Sequence, residues 1–223
     1  MNIFDTIYLD GGWGEPFSSG PGSHHEPLVA AYVDAIKKFL ISQSCDLKTA
    51  LDVGCGDFNI GQNLYSLFDS YYAIDISPVI IERNRKAYQA NGLSFATRGG
   101  HDSNLGFYDV IFIRQVFQHL PNQEIHSILS NIKEKCAWMI ITEHIPEGAY
   151  KPNLDHLSHR RDTRLQLKSG VDILREPFGL KPMQTLDLVR YAGWGGIILT
   201  QAHQMRESTS RINSFSSSRG TNR

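Results

Sequence analysis

A glycine turn followed by an acid is the part of this 223-residue sequence whose residue types best suit chemistry. The run Leu51-Asp52-Val53 leads into Gly54-Cys55-Gly56, and Asp75 follows about twenty residues later. Two glycines permit a positive-φ turn and the close approach of a ligand to the backbone. A carboxylate at Asp75 can accept two hydrogen bonds from the hydroxyls of a ribose. The pattern therefore predicts a ligand that contains adenosine.

Strands and helices that alternate along the chain must position these residues. Apolar runs predict strands at 49–53, 71–76, 93–97, 108–113 and 137–142. Apolar residues at helical spacing predict helices from Pro27, after Gly56, from Pro78 to Ala90, and over 125–132. Two last runs, 183–189 and 197–200, predict an antiparallel pair. The expected fold is α/β, a doubly wound and mostly parallel sheet with helices on both faces.

The alternation also divides the chain. A leader over 1–26 is rich in Gly, Ser and Pro, which favour turns, and we expect it to act as a lid. The domain itself spans 27–204, and a charged insertion at 144–178 interrupts it on the side where an acceptor would bind. A Ser- and Arg-rich segment over 205–223 predicts a disordered tail.

Composition excludes several classes of protein. A formal charge of −1, from 22 Lys and Arg against 23 Asp and Glu, argues against non-specific nucleic-acid binding. The three cysteines have neither disulfide nor metal spacing, so no metal site is predicted. Apolar runs fall short of the roughly 20 residues that a membrane span needs. We expect a soluble, cytoplasmic protein of undetermined oligomeric state.

Four segments together carry a family resemblance. They occur in the family's order and approximate spacing, and they are Leu51–Gly56, Ala73–Ser77, Tyr108–Phe112 with Gln118–Leu120, and Trp138–Glu143. The sequence from Leu28 to Thr200 resembles class I S-adenosylmethionine-dependent methyltransferases. The resemblance implies a Rossmann-like, seven-stranded sheet with an antiparallel terminal strand, and S-adenosylmethionine as the cofactor.

The resemblance assigns the residues of the glycine turn and of the second strand end. Gly54 and Gly56 would lie against the methionine part of the cofactor, and Asp52 would organise the turn and bind the amino group. Asp52 as a simple cap of the local turn is the alternative. Asp75 would hold the ribose, and Ile76 would pack on adenine.

Two further cofactor contacts follow from the same resemblance. Asp102 is the nearest acid to the position that reads the exocyclic amine of adenine. Arg114 would bind the cofactor carboxylate or an acidic substrate, with a surface ion pair as the alternative. Phe58 stands where a third glycine is common in the family. A nicotinamide or flavin dehydrogenase is the competing interpretation of the turn, and the missing glycine argues against it more strongly than against a methyltransferase.

Methyl transfer from a sulfonium depends mainly on positioning the acceptor in line with the methyl carbon. A hydroxyl acceptor also benefits from a general base. His144, at the end of the fifth strand, is the first candidate, against the alternative of a solvated loop histidine. His119 is the second candidate, against the alternative of a packing residue.

The predicted function is methyl transfer to a hydroxyl of a small molecule, with a sugar or glycan precursor as the first expectation. An N-methyltransferase for a protein, peptide or amine is the nearest alternative, and a non-catalytic cofactor-binding scaffold is another. The 144–175 segment favours an anionic acceptor such as a phosphorylated or nucleotide-linked sugar, because its basic residues outnumber its acidic ones. The basic residues are Lys151, Arg160, Arg161, Arg164, Lys168 and Arg175, and the acidic ones are Glu147, Asp155, Asp162 and Asp172.

Overall fold

One seven-stranded sheet organises the protein. The computed structural model describes residues 2–43, 46–156, 159 and 161–207. The strands are β1 (Thr49–Val53), β2 (Ser70–Asp75), β3 (Leu93–Thr97), β4 (Tyr108–Arg114), β5 (Cys136–Ile145), β6 (Gln184–Gly193) and β7 (Gly196–Gln204). Their order is β3-β2-β1-β4-β5-β7-β6, and β7 is antiparallel to both of its neighbours while the other neighbouring pairs are parallel. The predicted fold class is confirmed.

Helices flank the sheet in the described part of the chain. They are α1 (Ile3–Leu9), α2 (Pro21–His24), α3 (Glu26–Ser42), α4 (Pro78–Ala87) and α5 (Asn122–Ile132). The apolar stripe of α3, which contains Leu28, Tyr32, Ile36 and Phe39, is buried, as its helical spacing predicts. No helix among the described residues is long and apolar enough to cross a membrane.

The prediction of a helix directly after the glycine turn is wrong. Two short 3₁₀ turns, Gly61–Asn63 and Tyr65–Leu67, occupy this segment. Phe58 has a left-handed backbone with φ of 65°, which interrupts a helix, and its fully buried ring packs 4.8 Å from that of Phe95. The spacing of apolar residues reflected burial of this segment and not a continuous helix.

The leader contains more regular structure than its composition predicts. Asn2 and Asp5 form a capping box at the start of α1, where each side chain accepts a hydrogen bond from the other's backbone. Ser77 Oγ donates to Asp5 Oδ1 at 2.6 Å, and Asn2 Nδ2 donates to the carbonyl of Ile76 at 2.9 Å. These bonds dock α1 on the turn between β2 and α4.

A buried arginine organises the insertion, which begins only after β5 ends at Ile145. Arg164 is fully buried, and its two terminal nitrogens donate to the carbonyls of Leu120 and Leu154 and to Asn122 Oδ1, at distances of 2.6 to 3.0 Å. The insertion is therefore tied to the start of α5. Of the predicted tail, residues 208–223 lie outside the described residues.

We expect Arg164→Met to lower the free energy of unfolding by about 3 kcal/mol, because it leaves several buried oxygens without a donor. Urea unfolding measures this loss. Arg175→Met is the matched control, since the Arg175 side chain is 75% exposed. Equal effects of the two substitutions would contradict a structural role for Arg164.

Candidate active site

A cavity of about 360 Å³ opens where the carboxyl ends of β1, β2, β4 and β5 meet. Most of the residues singled out in the sequence line it, namely Asp52, Gly54, Gly56, Asp75, Ile76, Arg114, His119 and His144. Asp102, although it belongs to the described residues, does not. No group of three or more His, Cys, Asp or Glu in the described residues could hold a metal ion.

The glycine turn can form only with left-handed backbone. Gly54 has φ of 73° and Gly56 has φ of 54°. A Cβ atom on Gly54 would lie 2.4 Å from Val116 Cγ2, and one on Gly56 would lie 2.1 Å from Ser19 Oγ. Glycine at these two positions therefore lets the segment after β4 and the leader pack directly against the turn.

Asp75 is held rigidly at the end of β2. Its Oδ1 accepts from the backbone N–H of Ser77 at 2.9 Å, and its Oδ2 accepts from that of Gly56 at 3.2 Å. Burial raises the pKa of Asp75 to about 6, and these two hydrogen bonds oppose the rise. The carboxylate is therefore mostly ionised at neutral pH, and the neighbouring Ile76 offers an apolar surface beside it.

Arg114 brings a buried positive charge to the cavity. Its terminal nitrogens donate to the carbonyl of Gly22 at 2.6 Å and to Ser23 Oγ at 3.2 Å, and its Cζ lies 5.0 Å above the centre of the Tyr32 ring. Its Nε has no hydrogen-bond partner among the described residues. Among the described residues Arg114 forms no ion pair, so the surface ion pair given as its alternative role is not found there.

Asp52 brings a buried carboxyl group to the same cavity. It accepts a hydrogen bond from Tyr71 Oη at 2.9 Å, and burial raises its pKa to about 7. Within the described residues neither Asp52 nor Arg114 belongs to an ion pair. An ammonium group would favour the ionised form of Asp52 and a carboxylate would pair with Arg114, so the two side chains suit a ligand that is itself a zwitterion, such as an amino acid.

The loop after β3 contributes backbone to the cavity in place of the acid expected there. The Asp102 carboxylate lies 3.5 Å from Arg98 and accepts from the N–H of Asn104 at 2.9 Å. Gly100 and His101 line the cavity in its place. A Cβ on Gly100 would meet Ile128 Cγ2 at 2.8 Å, so this loop must lie close to α5.

Asp57, which is not among the predicted site residues, ties the leader to the glycine turn. Its Oδ2 accepts from the N–H of Ser19 at 2.7 Å and bonds His24 Nε2 at 2.6 Å, while its own N–H donates to Ser19 Oγ at 2.9 Å. Farther along the roof of the cavity, Trp13 Nε1 donates to the carbonyl of Arg161 at 3.0 Å. The leader and the insertion therefore close over the cavity together. The position of Asp57 directly after the second glycine is the sequence feature that could have identified it.

His119 lies in a 3₁₀ turn that Glu143 holds in place. The Glu143 carboxyl accepts from the N–H groups of Phe117 and Gln118 at 3.1 and 2.9 Å, and burial raises its pKa to about 8. The His119 ring packs 5.3 Å from the Trp13 indole, and it also lines the cavity. His119 is thus placed both to pack and to touch a ligand.

His144 lies within β5 and is only 5% exposed, so it is not a solvated loop histidine. Its Nε2 lies 3.1 Å from the carbonyl oxygen of Gly193. A carbonyl only accepts, so Nε2 must carry the hydrogen and Nδ1 the lone pair. Burial lowers the pKa of His144 below its ordinary value of 6.5, although the bond to Gly193 opposes this. The ring is therefore neutral at pH 7 and able to take a proton.

The basic residues of the insertion do not gather at the cavity. Arg160 lies outside the described residues, and among the described ones only Arg161 lines the cavity. Arg164 is buried in a structural role, and Arg175 pairs with Asp172 at 4.0 Å. The excess of positive charge in the sequence therefore does not become a cationic binding surface in the described part of the protein.

The family assignment rests on sequence as well as on strand order. The sequence model of the methyltransferase domain family matches residues 51–137, which run from β1 to the start of β5 and include the glycine turn and Asp75. This region of the chain therefore matches a methyltransferase domain, as the resemblance to class I S-adenosylmethionine-dependent methyltransferases predicts. No curated protein sequence is significantly similar to this chain.

Solved structures of methyltransferases share the fold of this chain at low sequence identity. The magnesium protoporphyrin IX methyltransferase from Synechocystis with bound S-adenosylmethionine is 16% identical, with 91% of this chain and 95% of that chain covered and a TM-score of 0.57. The N-methyltransferase NodS from Bradyrhizobium japonicum in complex with S-adenosylhomocysteine is 13% identical, with 90% and 96% covered and a TM-score of 0.62. A methyltransferase from Leishmania major is 14% identical, with 90% and 82% covered and a TM-score of 0.63.

S-adenosylmethionine is the cofactor of this family, and the residues of the cavity fit it. The cofactor has a ribose next to an adenine and ends in a zwitterionic amino acid. The buried carboxylate of Asp75 suits the ribose, while the opposite charges of Asp52 and Arg114 suit the amino acid.

Gly56→Ala should weaken the binding of S-adenosylhomocysteine by about tenfold or more, because its Cβ would displace Ser19 and shift the turn. Gly148→Ala is the matched control, since Gly148 has φ of 72° but no atom within 4 Å of the added Cβ. Isothermal calorimetry on both variants separates the clash from the cost of left-handed backbone. Equal affinities would show that the turn does not depend on this contact.

Proposed function

We propose that this methyltransferase moves a methyl group to a hydroxyl of a small molecule, with His144 as the general base. The observation that carries the proposal is a neutral, buried histidine in the cavity, whose tautomer is set by the carbonyl of Gly193. A hydroxyl is the acceptor that gains most from such a base, since its proton must leave as the oxygen is methylated.

The adenosine half of the cofactor is assigned to the end of β2. Asp75 accepts hydrogen bonds from the ribose hydroxyls, and Ile76 packs on the adenine. The loop that contains Gly100 and His101 closes the adenine side, in place of the Asp102 contact expected from the sequence.

The amino-acid half is assigned to the ends of β1 and β4. Gly54 and Gly56 lie along the methionine chain, Asp52 binds the ammonium group, and Arg114 binds the carboxylate. Each buried charge thereby gains a partner that the described part of the protein does not provide.

The residues of the chain perform the remaining tasks. When bound, S-adenosylmethionine supplies a methyl group that is already activated by the positive charge on sulfur. The closed leader and insertion exclude water and hold the acceptor in place. This positioning accounts for most of the rate enhancement. His144 Nδ1 accepts the proton of the acceptor hydroxyl, and the Gly193 carbonyl stabilises the imidazolium that results. His119 is assigned a positioning role through its contact with Trp13.

The proposal stops at a small-molecule hydroxyl. A sugar or glycan acceptor was favoured by the positive charge of the insertion, and that support is weaker because Arg164 is buried in a structural role. Sugar methylation therefore stays a prediction from the sequence.

His144→Ala should slow turnover by about tenfold or more and leave the affinity for S-adenosylhomocysteine unchanged. His126→Ala, on the exposed face of α5, is the matched control. The wild-type rate should be constant above pH 7 and fall as the pH drops below the lowered pKa of His144, because only the neutral ring accepts a proton. Release of S-adenosylhomocysteine with a panel of small alcohols and phenols measures these rates, and unaltered turnover would remove His144 as the base.

Asp75→Asn should weaken cofactor binding by about tenfold or more, because a charged acceptor of two hydrogen bonds becomes a neutral amide. Asp69→Asn, whose side chain is 76% exposed, serves as the control. Calorimetry with S-adenosylmethionine compares the two variants. If Asp75→Asn binds like the wild type, the ribose lies elsewhere.

A further inference from the structure

The turn between β6 and β7 places a tryptophan in strained backbone. Trp194 has φ of 50° and Gly195 has φ of 77°, and two-residue turns with this geometry favour Asn-Gly. Left-handed backbone is costly for a bulky side chain, and Trp194 is still 47% exposed. Stability therefore does not explain a tryptophan here, whereas strain of this kind often marks a functional position.

Two rings fix the orientation of the Trp194 indole. The His25 ring meets it edge to face with centroids 5.2 Å apart, and the Tyr191 ring lies 6.3 Å from it. His25 Nε2 and Tyr191 Oη form a hydrogen bond of 2.7 Å, which holds the two supporting rings together. The indole that lines the cavity is thus a preorganised surface.

Trp194 belongs to the part of the cavity that contains His144. The turn that carries Trp194 begins at Gly193, whose carbonyl bonds His144. Ile198 is the cross-strand partner of His144, and Leu165 lines the cavity from a 3₁₀ turn packed against β5. The surroundings of the base are therefore aromatic and aliphatic.

Two of the three arginines that line the cavity already have partners, and one of them, Arg98, pairs with Asp102 at 3.5 Å. Arg114 is held by the carbonyl of Gly22 and is assigned to the cofactor carboxylate. Arg161 joins the cavity where its carbonyl receives the indole N–H of Trp13. A phosphate beside Trp194 and a neutral His144 would depend on Arg161 for a cation, whereas an uncharged acceptor needs none.

We propose that Trp194 determines acceptor specificity and that the acceptor is a flat, uncharged phenol stacked on its indole. The proposal rests on the function proposed above. The phenol oxygen forms a bond to the methyl carbon while the carbon–sulfur bond breaks and its electron pair stays on sulfur. The phenolic proton passes to His144 Nδ1, and S-adenosylhomocysteine is the second product.

Binding of 2-naphthol to the complex with S-adenosylhomocysteine tests the proposal by calorimetry. Trp194→Asn should weaken 2-naphthol by about tenfold or more, because the stacking surface is lost. The same variant should keep its affinity for S-adenosylhomocysteine and unfold at an equal or higher temperature, since asparagine tolerates left-handed backbone. A merely structural tryptophan would lower the unfolding temperature. Trp194→Tyr should recover part of the affinity.

Phe107→Asn is the matched control, since Phe107 is aromatic and 42% exposed and precedes β4, at the amino end of the strand and away from the cavity at its carboxyl end. It should leave 2-naphthol binding unchanged, and glucose 6-phosphate should not compete with 2-naphthol. The proposal is overturned if 2-naphthol does not bind, if Trp194→Asn binds it equally, or if glucose 6-phosphate displaces it. The proposed function fails separately, through absence of methyl transfer or unaltered turnover in His144→Ala.

Discussion

The left-handed backbone of the glycine turn is the constraint on which the site depends. Gly54 N donates to the carbonyl of Ile74, and Gly56 N donates to Asp75, so one turn fixes the ends of β1 and β2 relative to each other. The carbonyl of Gly56 accepts from Asn84 of α4 at 2.7 Å, and Ser19 of the leader fits where a side chain on Gly56 would be. Four parts of the chain meet there because two residues lack a Cβ.

Sequence patterns predicted the sheet, and they also identified most of the residues that line the cavity, apart from Asp102. Strand ends can be read from apolar runs, and the end of a parallel strand places Asp75 and His144 at one edge. The sequence patterns gave wrong predictions where tertiary contacts override local conformational preference. Phe58 turns its ring into the core and prevents a helix, and the docking of Asp5 on Ser77 stabilises a short helix in the leader. The sequence also cannot show that Arg164 is buried, since it gives a charge without its surroundings.

The buried ionisable groups of the cavity lower the stability of the protein alone and favour ligand binding. Asp52 and Arg114 lose water without an ion-pair partner in the described residues, which costs stability in the protein alone. A zwitterionic ligand returns that free energy on binding. The free energy of unfolding then rises by mass action, with the logarithm of the ligand concentration once the site is nearly saturated. A protein with a site of this kind has a lower free energy of unfolding until its ligand is bound.

The roof of the cavity has a kinetic consequence. Trp13 of the leader is bonded to the carbonyl of Arg161 in the insertion, and Asp57 fastens the leader at its other end. The lifetime of these bonds is therefore one determinant of how long a ligand stays in the cavity, separately from the contacts that the ligand itself makes.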